Sequence, residues 1–131
     1  MRIVFDTNVL ISAAISTGNV YKLYHSSLLA HEIVTSEYIK EEFESVLLDK
    51  FHYSKVNTEI ISEIMFRKLE FVDPVLIGDV ALDDPTDLPI IGTAVAGKCK
   101  MIVTGDKGLY RLKKYHQIRI VRPGDFPIEV L

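Results

Sequence analysis

Five acids in the sequence have the types and settings to do chemistry together: Asp6, Glu42, Asp84, Asp87 and Asp106. Carboxylates gathered in a small space repel one another unless protons or cations compensate, and hard divalent ions prefer oxygen ligands. The set could therefore hold Mg2+ or Mn2+, leaving positions for water and a substrate phosphate. Such a centre activates water for in-line attack on phosphorus and stabilises charge on the leaving oxygen, with no covalent enzyme intermediate. Asn8, two residues after Asp6, could orient that carboxylate or add a neutral oxygen. Thr7 and Thr104 are placed to shape loops or hydrogen-bond the acids, and Gly105 to allow close backbone approach.

These acids need elements to carry them. Ile3 to Phe5 is a short apolar run ending at Asp6, and Lys100 to Val103 is another ending at Thr104, Gly105 and Asp106. Both read as buried strands delivering polar groups at their carboxyl ends, where ligands sit in open parallel sheets. After Asp6 a loop containing Gly18 and Asn19 leads to an amphipathic segment over residues 20–29. Ile33 to Thr35 reads as a strand, and Ser36 as the N-cap of a helix from Glu37 to Leu48. At about 100° per residue, Ile39, Phe43, Val46 and Leu47 share its apolar face; Glu42 falls at the edge, and Glu41 and Glu44 point to solvent.

Residues 57–69 place Ile60, Ile61, Ile64 and Met65 at helical spacing, with Asn57 or Thr58 as cap. Phe71 and Val72 suggest a short strand, and a turn-rich stretch follows. A helix starts near Thr86 or Asp87, tolerating Pro89 only in its first turn, and stops at Gly97. A short helix at 109–113 and a strand at 117–121 close the pattern. Alternating short strands and helices predict an α/β fold, a three-layer arrangement with a central, mostly parallel sheet of about five strands. The chain has 131 residues, of which 48% are hydrophobic, and is expected to form a single domain over 1–131.

Plain structural roles compete with the chemical ones. Asp6 or Asn8 could serve only an Asx-turn or cap, Glu42 could reach solvent at the helix edge, and Asp87 could cap the helix that follows it. The histidines His25, His31, His52 and His116 lack zinc-ligand spacing, and no phosphate-cradling or dinucleotide fingerprint occurs. Cys99 is the sole cysteine, so an intramolecular disulfide is excluded; with no signal-peptide pattern after Met1, a reducing, cytoplasmic setting is expected. No window approaches the roughly 20 apolar residues of a membrane helix.

Net charge is only -3, but its distribution is uneven. Between Lys98 and Arg122 eight basic residues face Asp106 alone. Lys107, Arg111, Lys113 and Lys114 could contact a nucleic-acid backbone, with Tyr110 or Tyr115 stacking on an unpaired base; a solvated surface explains them as well.

Asp6-Thr7-Asn8-Val9-Leu10, the stretch from Ser36 through Glu42 to Leu47, Asp84-Pro85-Thr86-Asp87 and Val103-Thr104-Gly105-Asp106-Lys107 resemble, in order and spacing, the PIN-domain ribonucleases, particularly those assigned as toxins of toxin–antitoxin systems. The resemblance spans residues 2–125. It implies a metal-dependent endoribonuclease in which Asp6, Asp87 and Asp106 are metal-linked acids, Glu42 orients or activates water, and Asn8 and Asp84 support them. It also implies RNA as substrate, a cognate antitoxin that covers or enters the site, and a homodimer, for which Tyr21, Leu28 and Leu29 offer an apolar face. Gly108 stands where similar members often carry an acid. Two other readings remain open: a noncatalytic binding module with an acidic pocket, and a haloacid-dehalogenase-like phosphohydrolase using aspartyl phosphate, which Asn8 disfavours because a second acid is usual there.

Overall fold

A computed structural model describes residues 1–127, so the last four residues of the expected 1–131 unit lie outside the described residues. The chain runs β1 (Arg2–Phe5), α1 (Thr7–Ile15), α2 (Asn19–Ala30), β2 (Glu32–Thr35), α3 (Glu37–Asp49), α4 (Lys55–Phe66) and β3 (Glu70–Phe71). A 3-10 turn (Pro85–Asp87) then leads to α5 (Leu88–Ala96), β4 (Met101–Val103), α6 (Lys107–Tyr110), β5 (Lys114–Tyr115) and β6 (Ile118–Val121). The sheet order is β3-β2-β1-β4-β6-β5. Every pairing is parallel except β5 with β6. This is the expected three-layer α/β architecture, with six strands in place of about five; the two beyond the central four are two residues each.

The topology decides where a site can form. From β1 the chain moves outward through β2 and β3, then returns to lay β4 against the other side of β1. Strand order thus reverses between β1 and β4, opening a crevice beyond their carboxyl ends. Pairing of Phe5 with Val103 brings the two ends level. Ile3, Val4, Phe5, Ile102 and Val103 are all buried although successive side chains point to opposite faces, so both faces of the central strands are covered. α5 packs across β1, β2 and β4, while α1 packs on α2 and α3, and α3 on α4.

Several local expectations need correction. Residues 7–15 form α1, not a loop: Asp6 Oδ1 accepts from Thr7 N at 2.7 Å, and the Asp6 carbonyl accepts from Val9 N and Leu10 N. Val9, Leu10, Ile11 and Ala13 are all buried, so this helix lacks the one-sided periodicity that would reveal it. Ser36 occupies the N-cap position of α3, but its hydroxyl receives Thr93 Oγ1 at 2.9 Å and makes no capping bond. Ser54, not Asn57 or Thr58, caps α4.

That helix is also rotated from its apolar pattern. It buries Thr58, Ser62, Met65 and Phe66 and leaves Ile60 and Ile64 52% and 61% exposed. Small Thr and Ser residues allow close approach to α3, and Ser62 Oγ donates to Glu44 Oε2 at 2.6 Å, so Glu44 is not simply solvated. The expected helix at 109–113 is instead the single turn α6. β5 follows it, closed onto β6 by a tight turn in which His116 takes a φ of 51°.

Candidate active site

The crevice between β1 and β4 is lined by acids from four separate parts of the chain. Asp6 follows β1 directly; Asp106 stands three residues past the end of β4; Glu42 projects from the second turn of α3; Asp84 precedes and Asp87 ends the 3-10 turn before α5. All five line one cavity of about 300 Å3, together with Asn8, Val46, Lys50 and Thr86. Residues separated by up to 100 positions in sequence therefore share one space.

A hydrogen-bonded frame beneath the cavity fixes these groups. Asp6, only 4% exposed, accepts Thr7 N on Oδ1 and the Thr104 hydroxyl on Oδ2 at 2.6 Å. The same Thr104 oxygen accepts Asp106 N at 3.0 Å, so one buried threonine couples the acids of β1 and β4. The Thr7 hydroxyl donates to Glu42 Oε1, which ties the helical acid to the same frame. Asp106 Oδ1 accepts Gly108 N at 3.2 Å and so caps α6. Thr7 and Thr104 lie under the site as hydrogen-bonding supports and not on its lining.

The 3-10 turn is built by Asp84, whose Oδ1 accepts both Thr86 N (3.0 Å) and Thr86 Oγ1 (2.7 Å). Asp84 thus makes the cap, whereas Asp87 makes no side-chain capping bond and is left to face the cavity. Tyr38, one turn before Glu42, donates its hydroxyl to the Thr86 carbonyl at 2.7 Å and anchors this turn to α3.

Crowding shows in the acidities. Asp87 is pushed up to about 8, first by burial, then by hydrogen-bonded proximity to Asp106, then by the charges of Asp106, Asp6 and Asp84. Asp6 is also raised, by burial above all, with Glu42 and Asp106 adding repulsion and the Thr104 and Thr7 hydrogen bonds opposing it. Asp84, held by Thr86, moves the other way. The Tyr38 hydroxyl is raised by burial and by the neighbouring charge of Glu42. At neutral pH the cluster therefore retains a proton unless a cation replaces it.

Among the described residues, no three acidic, histidine or cysteine side chains close on a common point as a resident metal requires. Both Asp6 oxygens, Glu42 Oε1 and Asp106 Oδ1 are engaged in protein hydrogen bonds. The donor chemistry nonetheless fits a hard divalent ion: every charged ligand on offer is a carboxylate, and the crowding of Asp87 against Asp106 is the kind that a cation relieves.

The expected basic contacts are not gathered at the acids. Lys107, Arg111, Lys113 and Lys114 are all absent from the acidic lining; Arg111 lies 3.4 Å from Asp83, and Lys113 borders a separate cavity with Tyr110 and Arg122. The Tyr110 ring is covered by the Arg122 guanidinium, and the Tyr115 hydroxyl is bonded to Asp79. Around Gly105 an added Cβ would meet nothing within 4 Å and φ is not positive, so protein packing does not demand a glycine there. Lys50, Val46 and Tyr38 were not anticipated as site residues. Their signal is the four-residue spacing 38-42-46-50, which puts them on Glu42's side of α3.

These features define an α/β domain with a carboxylate-lined pocket at the switch point of a mostly parallel sheet. A family model described as "PIN domain" matches residues 2–108, and the chain belongs to that family. Its fold is similar to a solved structure of VapBC2 from Rickettsia felis bound to a DNA fragment from their promoter, with a TM-score of 0.67 and 15% identity, covering 93% of this chain and 98% of the other. It is also similar to that of FitAcB from Neisseria gonorrhoeae, with a TM-score of 0.59 and 15% identity over 95% and 99% of the two chains. No curated protein matches the sequence. Among the described residues no helix is long and apolar enough to cross a membrane.

Proposed function

We propose that this PIN-domain protein is an endoribonuclease dependent on Mg2+ or Mn2+, the toxin of a toxin–antitoxin pair. The observation that carries the reading is the convergence of Asp6, Glu42, Asp84, Asp87 and Asp106 on one cavity at the β1–β4 switch point. Asp6, Asp87 and Asp106 would hold the ion. When bound, it supplies positive charge that stabilises the phosphoryl transition state and acidifies the attacking water.

The chain's own groups do the remaining work. Glu42, kept in place by the Thr7 hydroxyl, orients the water and takes its proton as the new P–O bond forms and the ester P–O bond breaks; solvent returns a proton to the leaving oxygen. Thr104 keeps Asp6 and Asp106 in register, and Asp84 shapes the turn that presents Asp87. Asn8, exposed at the rim, supports Asp6. Lys107, Arg111, Lys113 and Lys114 engage the RNA backbone outside the cavity.

Similarity in fold to proteins solved as VapBC2 and FitAcB supports an antitoxin partner; a cytoplasmic setting is part of the same proposal. Leu29 on α2 is 91% exposed and, with Tyr21, offers the apolar surface for a homodimer. A second reading is favoured by the lack of convergent metal ligands among the described residues: a binding module whose acids receive a partner's arginine. The deciding experiment incubates purified protein and Asp6→Asn with structured and single-stranded RNA, with and without Mn2+. Metal-dependent cleavage lost in a folded Asp6→Asn supports the enzyme. RNA or partner binding without cleavage in any metal condition supports the module.

A further inference from the structure

The acidic cavity must admit a polyanion. Among the described residues, every charged side chain lining it apart from Lys50 is a carboxylate, and that lysine sits at the carboxyl end of α3, two four-residue steps beyond Glu42 on the same side of the helix. Two such steps advance about 12 Å along the axis, so Lys50 marks the far rim from the water-handling acid. It shares a cavity with five carboxylates, yet among the described residues its ammonium forms no ion pair within 4.0 Å. The basic residues of the Lys98–Arg122 region do not reach this lining.

Resting on the endoribonuclease reading, we infer that Lys50 is the phosphate-seating residue of the cavity, binding an RNA phosphate that flanks the bond to be cut. An ammonium held at the rim by the helix, uncommitted to the acids, offers three donors to a phosphate and locally offsets the repulsion between substrate and cavity. The scissile phosphate lies with the acids and its neighbour on Lys50, which sets the direction in which the strand crosses α3. The plainer role of Lys50 is to offset the partial negative charge at the helix carboxyl end, which would affect stability alone.

The test compares wild type, Lys50→Gln and Lys50→Arg. Cleavage kinetics are taken with Mn2+, and binding of a fluorescein-labelled single-stranded oligoribonucleotide is followed by anisotropy in Ca2+ across a salt series. Lys50→Gln is expected to raise KM and Kd about tenfold, to lower kcat much less, and to reduce the slope of log K against log salt by about 0.7, the value for one phosphate contact on a single strand. Lys50→Arg should recover most of the binding. If wild type cuts RNA while Lys50→Gln keeps its KM, Kd and salt slope, or loses only kcat, the phosphate seat is overturned and the nuclease reading stands. If wild type neither cuts nor binds RNA, both fall. If it binds without cutting and the slope still changes in Lys50→Gln, the seat stands and the catalytic reading falls.

Discussion

The two ends of the central strands treat acids in opposite ways. At the amino-terminal end, Arg2 of β1 reaches Glu32 of β2 at 2.7 Å and Glu70 of β3 at 2.6 Å, while its Nε donates to the Gly97 carbonyl. Glu70 is held below the ordinary carboxylate range by that guanidinium. At the carboxyl-terminal end the acids face one another, no ion pair within 4.0 Å joins Lys50 to them among the described residues, and Asp87 is driven up to about 8. One end satisfies its charges internally and serves the fold. The other leaves its charges to be satisfied by something bound, which is the physical mark of a site.

Exchanging the character of the two ends should expose this difference most strongly in activity. Asp106→Asn keeps an oxygen for the Gly108 amide but removes a charge; cleavage should fall about 1,000-fold or more, while the melting temperature of the metal-free protein rises because repulsion with Asp87 is relieved. Glu70→Gln, at the paired end, should leave cleavage at the wild-type rate. Equal losses in the two variants would erase the distinction.

The next largest effect concerns the segment that presents Asp84 and Asp87. A Cβ on Gly92 of α5 would clash with the Val75 carbonyl oxygen and crowd Pro74, so Gly92→Ala must displace this part of the connection that leads to the turn. Urea unfolding should show a loss of about 2 kcal/mol, accompanied by weaker Mn2+ activation as the turn shifts.

Acid should act with opposite sign at the two ends. In the metal-free fold Asp87 binds its proton near pH 8, whereas in the unfolded chain it does so near 3.8, so stability rises as pH falls through about 8 and the gain is complete below the unfolded value. Glu70 has its folded value lowered, so its contribution is present above the unfolded value and is lost as pH falls through the folded one. Melting curves should therefore show stabilisation from about pH 9 to about pH 6, which Asp87→Asn flattens, and a decline in strong acid. Mn2+ should stabilise more at the upper end of that range, because it competes with the Asp87 proton. The smallest effect is expected from Arg2→Met, a modest fall in urea midpoint that shrinks at high salt, since its partners are largely exposed.

The acids were legible in sequence because each stands in a pattern with a strong local cause. Asp6 and Asp106 follow apolar runs that only buried strands explain, and Glu42 interrupts the edge of a helix face whose other residues are apolar. Elements without such a cause were missed or misread. α1 is buried on most sides and keeps only Asn8 and Ser12 as polar residues on its outer side, β5 is two residues long, and α4 buries threonine and serine while exposing two isoleucines. The capping duty of Asp84 and the four-residue series from Tyr38 to Lys50 required knowing which side of α3 meets the turn.

By itself the sequence determined the alternation of strands and helices, the run of acids at strand ends and the excess of bases after Lys98, because hydrophobic periodicity and charge are local properties of the chain. Tertiary structure alone decided that Thr104 joins Asp6 to Asp106, that Asp87 presses on Asp106 until its acidity changes, and that Lys50 is the base on their cavity while Lys107, Arg111, Lys113 and Lys114 lie elsewhere. Those relations depend on strand order and register, which bring together atoms up to 100 residues apart along the chain. Electrostatic energies depend on distance and burial, and neither exists until the sheet has formed.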